Sequence, residues 1–280
     1  MSRAKKIEAL VKLGVTPIEA RRLYNMWSVT TTEGTFSTTF GVEIETTNCN
    51  PMAFCTAASQ NGLEVTNQMH HYNHTDIAQF KLVPDSSLRG SECAECVSPA
   101  LKSDRNGFKS LEACCKALEQ VGARVNSSCG LHVHIGAAGL TQQEYCNVFL
   151  NYQKLEVAID SFMARSRRDD ASRWCHTLRG KRLAECTSIN DVLSTMHYDR
   201  YFKVNAMAWD RHQTIEFRQH QGTTNFTKIK NWVNFLVKLV GWSRTNRLDH
   251  QVNHIEDIPF LTQSEKSYFI SRRDELNRAA

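Results

Sequence analysis

Three short apolar segments, at residues 41–45, 130–135 and 214–218, carry charged or imidazole side chains at alternating positions. Because a β-strand points residues i and i+2 to the same face, each segment predicts a strand with two polar side chains on one surface. The polar pairs are Glu43 with Glu45, His132 with His134, and Glu216 with Arg218. The residues between them are apolar, so we expect a sheet with one side on a hydrophobic core and the other free to form a site.

The polar surface of this predicted sheet has a composition that favours bound metal. Neighbouring carboxylates repel each other unless a cation or hydrogen-bond donors offset their charge, and three glutamates and two histidines are expected here. Carboxylate oxygens suit Mg²⁺, the imidazoles also suit Mn²⁺, and zinc fits less well. Each pattern alone has an ordinary interpretation, since an isolated E-x-E is usually an exposed strand and Glu216 with Arg218 could be a simple ion pair.

Further motifs lie between these strands and follow them in a fixed order. The full series is G-x-E-x-E at 41–45, Asp-x-Ser at 85–87, Glu-x-x-Ser-Pro at 95–99, G-x-H-x-H at 130–134, and E-F-R at 216–218 followed by Gly-Thr at 222–223. In this order, over roughly residues 38–245, the chain resembles the amidoligase family. That family belongs to the carboxylate-amine ligases, which share a fold with glutamine synthetase and glutamate-cysteine ligase.

The resemblance implies an ATP-dependent enzyme that joins a carboxylate to an amine through an acyl phosphate. It implies ATP and Mg²⁺ (or Mn²⁺) as cofactors, and metals and a guanidinium are the usual means of stabilising a phosphoryl group in transfer. The metal ligands carried over are Glu43, Glu45, Glu95, His132 and Glu216. Arg218 is expected to bind the phosphoryl oxygens, His134 a nucleotide phosphate, and Glu43 the nucleotide through its metal.

Several further residues are weighed as candidates beside these. Asp85 could position the incoming amine or deprotonate it, because an ammonium must lose a proton before it attacks. Glu92 could replace Glu95, but a regular strand would put the two on opposite faces, and the family motif points to Glu95. Arg89 and Arg211 are candidates for binding a substrate carboxylate or phosphate, and Asn205 matches a family position where asparagine is common.

The pattern of elements predicts an α+β fold with a mainly antiparallel sheet. The resemblance sharpens this to a curved glutamine synthetase-like sheet with helices on its convex face. We expect an N-terminal helical hairpin over residues 1–35 and a catalytic domain over 36–280. The expected strands lie near 38–46, 78–83, 92–98, 201–209 and 213–220, and the expected helices near 107–121, 141–163, 228–242 and 264–277. Residues 47–77, with His70, His71 and His74, are expected to be irregular, and residues 165–198 are not assigned.

Composition is that of an ordinary soluble enzyme. The chain has 280 residues, of which 41% are hydrophobic, and it lacks an apolar stretch long enough to cross a bilayer. Its first residues lack the apolar run of a signal peptide, so we expect a cytoplasmic protein with reduced cysteines. Cys93 and Cys96 form a C-x-x-C motif without a second pair, which argues against zinc. Cys129 stands beside the histidine strand.

The net charge of +5 fits binding of an anionic nucleotide and an acidic substrate. We expect small-molecule or peptide carboxylate and amine substrates and no membrane partner; nucleic acid is not favoured. The basic run at residues 165–168 is expected to be a solvated loop, with a lid over the site as the alternative. Two other functions stay open: a metal-dependent phosphodiesterase or nuclease, which would need no ATP, and a non-catalytic binding protein. Substrate identity and oligomeric state cannot be read from the sequence.

Overall fold

An eight-stranded sheet forms the centre of the described residues, which in this computed structural model are 11–12, 38–70 and 78–278. The strands are β1 Thr39–Thr46, β2 Val65–Asn67, β3 Phe80–Val83, β4 Ala94–Val97, β5 Leu101–Lys102, β6 Gly130–Gly136, β7 Val204–Asn205 and β8 Thr214–Gln221. Their order is β2-β3-β4-β1-β6-β8-β7, with β5 paired to β1. Among these strands, only β2 and β3 pair in parallel. The predicted mainly antiparallel sheet is confirmed.

Helices alternate irregularly with these strands along the chain, and with the sheet they form the mixed α+β architecture that the sequence predicts. They are α1 Pro51–Gln60, α2 Arg105–Gln120, α3 Gln142–Ser161, α4 Ile189–Thr195, α5 Ala208–His212, α6 Phe226–Ser243 and α7 Gln263–Arg278. Short 3₁₀ turns occur at Arg165–Arg167, Leu183–Glu185 and Ile255–Asp257. The predicted N-terminal hairpin lies outside the described residues, apart from residues 11–12, which are helical; His71 and His74 also lie outside them. The domain boundary after residue 35 therefore stays a prediction.

The apolar face of the sheet is buried as predicted. Val42, Ile44, Leu131, Val133, Ile135, Ile215 and Phe217 are all at most 1% exposed. They belong to one hydrophobic core that also contains apolar residues of α1, α2, α3, α6 and α7. Burying one face of the strands in this way fixes their register, because a slip of one residue would move the polar side chains into the core.

Two segments differ from their predicted structure. Residues 47–77 are not simply irregular, since they contain helix α1 and strand β2. The side chain of Asn50 caps α1 by accepting the N–H of Ala53 at 3.1 Å, and Pro51 occupies the first turn, where its missing N–H costs nothing. The strand predicted at 201–209 is only two residues long. It ends where the N–H of Met207 donates to Oδ1 of Asn205 at 2.8 Å, and α5 follows.

A buried ionic network ties strand β7 to helix α3. The ammonium group of Lys203, fully buried, lies 2.8 Å from Oε1 of Glu156 and 2.7 Å from Oδ1 of Asp160. Asp160 also accepts a hydrogen bond from the side chain of Gln219 at 2.5 Å. The carbonyl of Lys203 in turn accepts the N–H of Arg218 at 2.9 Å, so this network supports the strand that carries Arg218.

We expect Lys203→Met to lower the free energy of unfolding by about 3 kcal/mol, because Glu156 and Asp160 would lose their buried cation and keep only the more exposed guanidinium of Arg179, 3.6 Å and 3.1 Å away. Urea unfolding followed by circular dichroism measures this. Lys116→Met is the matched control, since Lys116 pairs with Glu112 on an exposed helix surface and should contribute less than about 1 kcal/mol. Equal stability of both variants would show that the network does not hold β7 to α3.

None of the helices in the described part of the chain has the length and apolar character of a membrane span.

Candidate active site

The strand registers bring the predicted site residues to one face of the sheet. Strand β1 lies between β4 and β6, so Glu43 stands opposite His132, and Glu45 stands opposite Glu95. On the far side of β6, His134 is opposite Glu216 of β8. Four strands thus contribute to one patch of acidic and imidazole side chains. Together with Asp85, the seven residues Glu43, Glu45, Asp85, Glu95, His132, His134 and Glu216 are called the acidic cluster below.

Glu43 is the centre of this cluster. Its Oε2 lies 2.9 Å from Nδ1 of His132, and its Oε1 lies 3.3 Å from Nε2 of His134. The imidazole of His132 also approaches Glu45, with Nε2 3.6 Å from Oε1, and Glu216, with Nδ1 3.7 Å from Oε1. A single histidine therefore contacts three carboxylates, which is the close packing that the alternating pattern predicts.

Ion pairing between glutamates and cationic side chains sets the pKa values of Glu43, Glu216 and His134. Burial alone would raise the pKa of Glu43, but hydrogen bonds with His132 and His134 outweigh it and hold the pKa well below its ordinary value. Burial is likewise outweighed at Glu216, where the charge of Arg218 lowers the carboxyl pKa. Burial would lower the pKa of His134, but its contact with Glu43 raises it. These groups form ion pairs among themselves.

Glu95 behaves differently from its neighbours. Burial, together with the negative charges of Glu43, Glu45 and Asp85, raises its pKa well above the ordinary value of a glutamate. The carboxylates on this side of the cluster therefore have more negative charge than the protein itself offsets. A bound cation would remove this repulsion and allow Glu95 to ionise.

The donor set of the acidic cluster fits a hard divalent cation. Three groups have ligand atoms within 4.8 Å of one another: Glu43 with Glu95 and His132, Glu43 with His134 and Glu216, and Glu45 with Asp85 and Glu95. Carboxylate oxygens dominate each group, which suits Mg²⁺ or Mn²⁺ better than zinc. Because Glu43 and Glu95 each belong to two groups, neighbouring ions could share these carboxylates. The predicted ligands Glu43, Glu45, Glu95, His132 and Glu216 are thus brought together, and their binding of metal stays a prediction.

Arg218 lies at the edge of the acidic cluster, on strand β8. Its Nη1 is 2.5 Å from Oε1 of Glu216, and its Nε donates to the carbonyl of Trp174 at 3.4 Å. Asn205 donates its side-chain N–H to the other oxygen of Glu216 at 2.5 Å. Both oxygens of Glu216 are therefore held, and the guanidinium of Arg218 is fixed beside them.

The turn at Asp85 joins β3 to β4 and brings its carboxyl group to the cluster. Oδ1 of Asp85 accepts the N–H of Ser87 at 2.7 Å, which holds the turn. Of the two neighbouring glutamates, Glu95 belongs to the cluster. Glu92 is exposed and accepts a hydrogen bond from Nδ2 of Asn50 at 2.8 Å, so its carboxylate contacts the start of helix α1. The choice of Glu95 over Glu92 agrees with this geometry.

The remaining sequence candidates have different positions. Arg211, exposed, lines the cleft described below, whereas Arg89 lines an adjoining pocket. Cys96 belongs to the core, with its sulfur 3.4 Å from that of Cys114, and within the described residues no potential metal-ligand group includes a cysteine. Cys129 is buried, and burial raises the pKa of its thiol, which makes it a poor nucleophile.

The basic run is not simply a solvated loop. Arg167 is only 6% exposed, and its Nη2 donates to the carbonyl of Cys129 at 2.8 Å. Lys81, on the apolar strand β3, is also 6% exposed and faces the cleft. Arg167 belongs to the run for which a lid was the alternative prediction, whereas Lys81 was not predicted to belong to a site. A lysine within the segment Phe-Lys-Leu-Val was the available signal for Lys81; for Arg167 there was none beyond the run itself.

A cleft of about 1490 Å³ opens over the acidic cluster and is large enough for a nucleotide together with a second substrate. Its walls include the turn at Asp85, residues 198–201 and helix α5.

Comparison with known proteins gives one family. Residues 37–240 match a family model described as "Putative amidoligase enzyme". No curated protein matches the chain.

Proposed function

Because the chain belongs to the amidoligase family, we propose that it is an ATP-dependent carboxylate-amine ligase that forms an amide or peptide-like bond through an acyl phosphate. The family supports an enzyme of the ligase class in general. The dependence on ATP, the metal and the intermediate are parts of the proposal, as are a glutamine synthetase-like type of sheet and a cytoplasmic location. The observation that carries it is the acidic cluster, with Arg218 at its edge, in a cleft that can hold two substrates.

The chemistry of amide formation explains why such a site is needed. A carboxylate repels nucleophiles, and its oxygen is a poor leaving group. When bound, ATP would supply the phosphoryl group that makes this oxygen a leaving group, and Mg²⁺ or Mn²⁺ would offset the phosphate charge. Glu43, Glu45, Glu95, His132 and Glu216 would hold the metal ions.

Two cationic or polar side chains would bind phosphate oxygens in this scheme. The guanidinium of Arg218 is held between Glu216 and the carbonyl of Trp174, so it is oriented before substrate arrives. Nδ1 of His134 forms a hydrogen bond with Oγ1 of Thr214 at 2.9 Å, which fixes the orientation of the imidazole ring. Its raised pKa favours an imidazolium that could contact a nucleotide phosphate.

Asp85 is the residue we propose for handling the amine. Its carboxylate lies on the rim of the acidic cluster with Glu45 and Glu95, where it could attract an ammonium group and accept its proton. The amine would then attack the carbonyl carbon of the acyl phosphate, and phosphate would leave.

Mass spectrometry tests the proposed reaction directly. The protein is incubated with Mg²⁺ or Mn²⁺, ATP and a pool of amino acids, amines and cell extract. We expect ADP, phosphate and a product whose mass equals that of two substrates less one water. AMP with pyrophosphate would retain ligation but contradict the acyl phosphate. If no nucleotide is consumed in any pool, the alternative of a metal-dependent phosphodiesterase or nuclease would be preferred, and cleavage of nucleic acid would be measured next.

A further inference from the structure

A second pocket of about 620 Å³ adjoins the cleft and has a different lining. Ser86, Ser87, Ser128, Arg167 and Trp174 line both cavities, which are therefore direct neighbours. The second pocket is lined by three arginines, six serines, one alanine and one tryptophan, and its lining within the described residues contains no aspartate or glutamate. A cavity with this lining has a net positive charge and many hydroxyl donors, which is the composition of an anion site.

Two of these arginines have guanidinium groups that are free to bind a ligand. For Arg89 and Arg173, no hydrogen bond or ion pair of the guanidinium is formed with the residues that the structure describes. The backbone of Arg89 is nevertheless held, because its N–H donates to Oγ of Ser128 at 3.0 Å and its carbonyl accepts from Asn126 at 2.6 Å. The guanidinium of Arg173 lies over the ring of Trp174, 4.6 Å from its centre.

The third arginine, Arg167, connects this pocket to the acidic cluster. It is buried, and its two terminal nitrogens lie close over Gly130, about 3.4 Å from where a Cβ atom would stand. The N–H of Gly130 donates to Oε2 of Glu45 at 2.5 Å. A molecule that contacts Arg167 from the second pocket would therefore be within a short distance of the acidic cluster.

The two cavities differ in how they can hold negative charge. The acidic cluster can accept an anion only together with a cation, because its own carboxylates repel it. The second pocket has its own positive charges and needs no metal. A substrate with two anionic groups could place one at the cluster, where it reacts, and the other among the arginines.

We propose that the second pocket binds a carboxylate or phosphate group of the carboxylate substrate, distinct from the carboxylate that reacts. This inference rests on the proposed ligase function. It identifies the substrate class as a dicarboxylate or a phosphorylated carboxylate, whose second anionic group is held by Arg89, Arg167 and Arg173. Arg167, common to both cavities, would set the distance between the two groups of the substrate.

Binding of simple anions to the metal-free protein tests the pocket itself. The protein is dialysed free of metal, and inorganic phosphate and succinate are each titrated by isothermal calorimetry. We expect Arg89→Gln and Arg173→Gln each to weaken binding of at least one probe by about 10-fold, the loss expected for a charge-assisted contact. Arg105→Gln is the matched control, since Arg105 is exposed on α2 and lines neither cavity. Absence of binding to the wild type, or equal binding by all variants, would overturn the proposal.

Competition with nucleotide then tests whether the anionic group in the second pocket comes from the carboxylate substrate or from ATP. The titration is repeated with saturating ATP and Mg²⁺. If the probe still binds with the same affinity, the pocket is not a nucleotide site and stays available to the carboxylate substrate, as proposed. If ATP displaces the probe, the pocket holds nucleotide phosphate and the assignment to the carboxylate substrate is wrong.

The calorimetric result does not depend on turnover, so the two proposals can fail separately. ATP turnover by a protein whose pocket binds neither probe would retain the ligase and reject the pocket. Arginine-dependent phosphate binding by a protein that never consumes ATP would reject the ligase. It would also reject the assignment of the anion to a ligase substrate, while the pocket would remain an anion site.

Discussion

Glu216→Gln should lower metal-dependent ATP turnover by roughly 10²- to 10³-fold and weaken Mn²⁺ binding, with the fold intact. Glutamine has nearly the same shape, so the hydrogen bond from Asn205 can be kept. What is lost is the negative charge of the Glu216 carboxylate, which Arg218 keeps ionised by lowering the pKa of that group. A neutral amide is a weaker ligand for a hard cation than a carboxylate, so the group Glu43, His134 and Glu216 would bind Mn²⁺ less tightly.

The measurement has three parts and a matched control. Mn²⁺ titration gives metal affinity, ATP consumption gives turnover, and thermal unfolding verifies the fold. Glu92→Gln removes the same charge from an exposed glutamate that contacts Asn50 outside the acidic cluster. The control should retain wild-type metal affinity and turnover. Full activity in both variants would show that the acidic cluster is not the site.

The face of each strand could be predicted because it depends only on the two-residue period of the extended chain. Glu43, His132 and Glu216 fall on the polar side as soon as Val42, Val133 and Phe217 are placed in the core. The order of motifs supplied the remaining information, since it identified Glu95 and Asp85 before any register was known. The distances between these groups required the pairing of β1 with β4 and β6, which the sequence does not specify.

Features that depend on tertiary packing were not predictable in this way. The local sequence around Arg167, a run of basic residues, predicts an exposed side chain. Arg167 lines the cleft only because the 3₁₀ turn Arg165–Arg167 packs on Gly130. Strand β8 contains an extra residue between Phe217 and His220 relative to β6, so its alternation is interrupted. Gln219 stays on the core side, as the alternation with Ile215 and Phe217 requires, and contacts Asp160. As a result of the extra residue, His220, which a strict alternation places on the polar side, lies against Trp232.

Arg218→Ala should retain Mn²⁺ binding at pH 8 and lose ATP turnover by about 10³-fold or more, the range found for arginines that stabilise a transferring phosphoryl group. Alanine removes a cation and no carboxylate, so the metal loses no ligand. The guanidinium side chain is only 12% exposed and is directed by Glu216 and Trp174, so water cannot easily replace it. Arg218→Lys keeps the charge without the planar fork and should retain part of the activity.

Arg182→Ala is the matched control for this variant, because Arg182 also pairs with a glutamate, its Nε 2.9 Å from Oε1 of Glu185, but lines neither cavity. The side chain of Arg182 is exposed, so this variant should retain wild-type turnover. The pH dependence gives a second criterion. Arg218 lowers the pKa of Glu216, so without Arg218 the carboxyl group of Glu216 is protonated at a higher pH. As the pH is lowered, the variant should therefore lose metal binding at a higher pH than the wild type does. Loss of Mn²⁺ binding already at pH 8 would instead make Arg218 a structural part of the metal site, because a residue that acts only on phosphoryl oxygens leaves the ionised ligands in place.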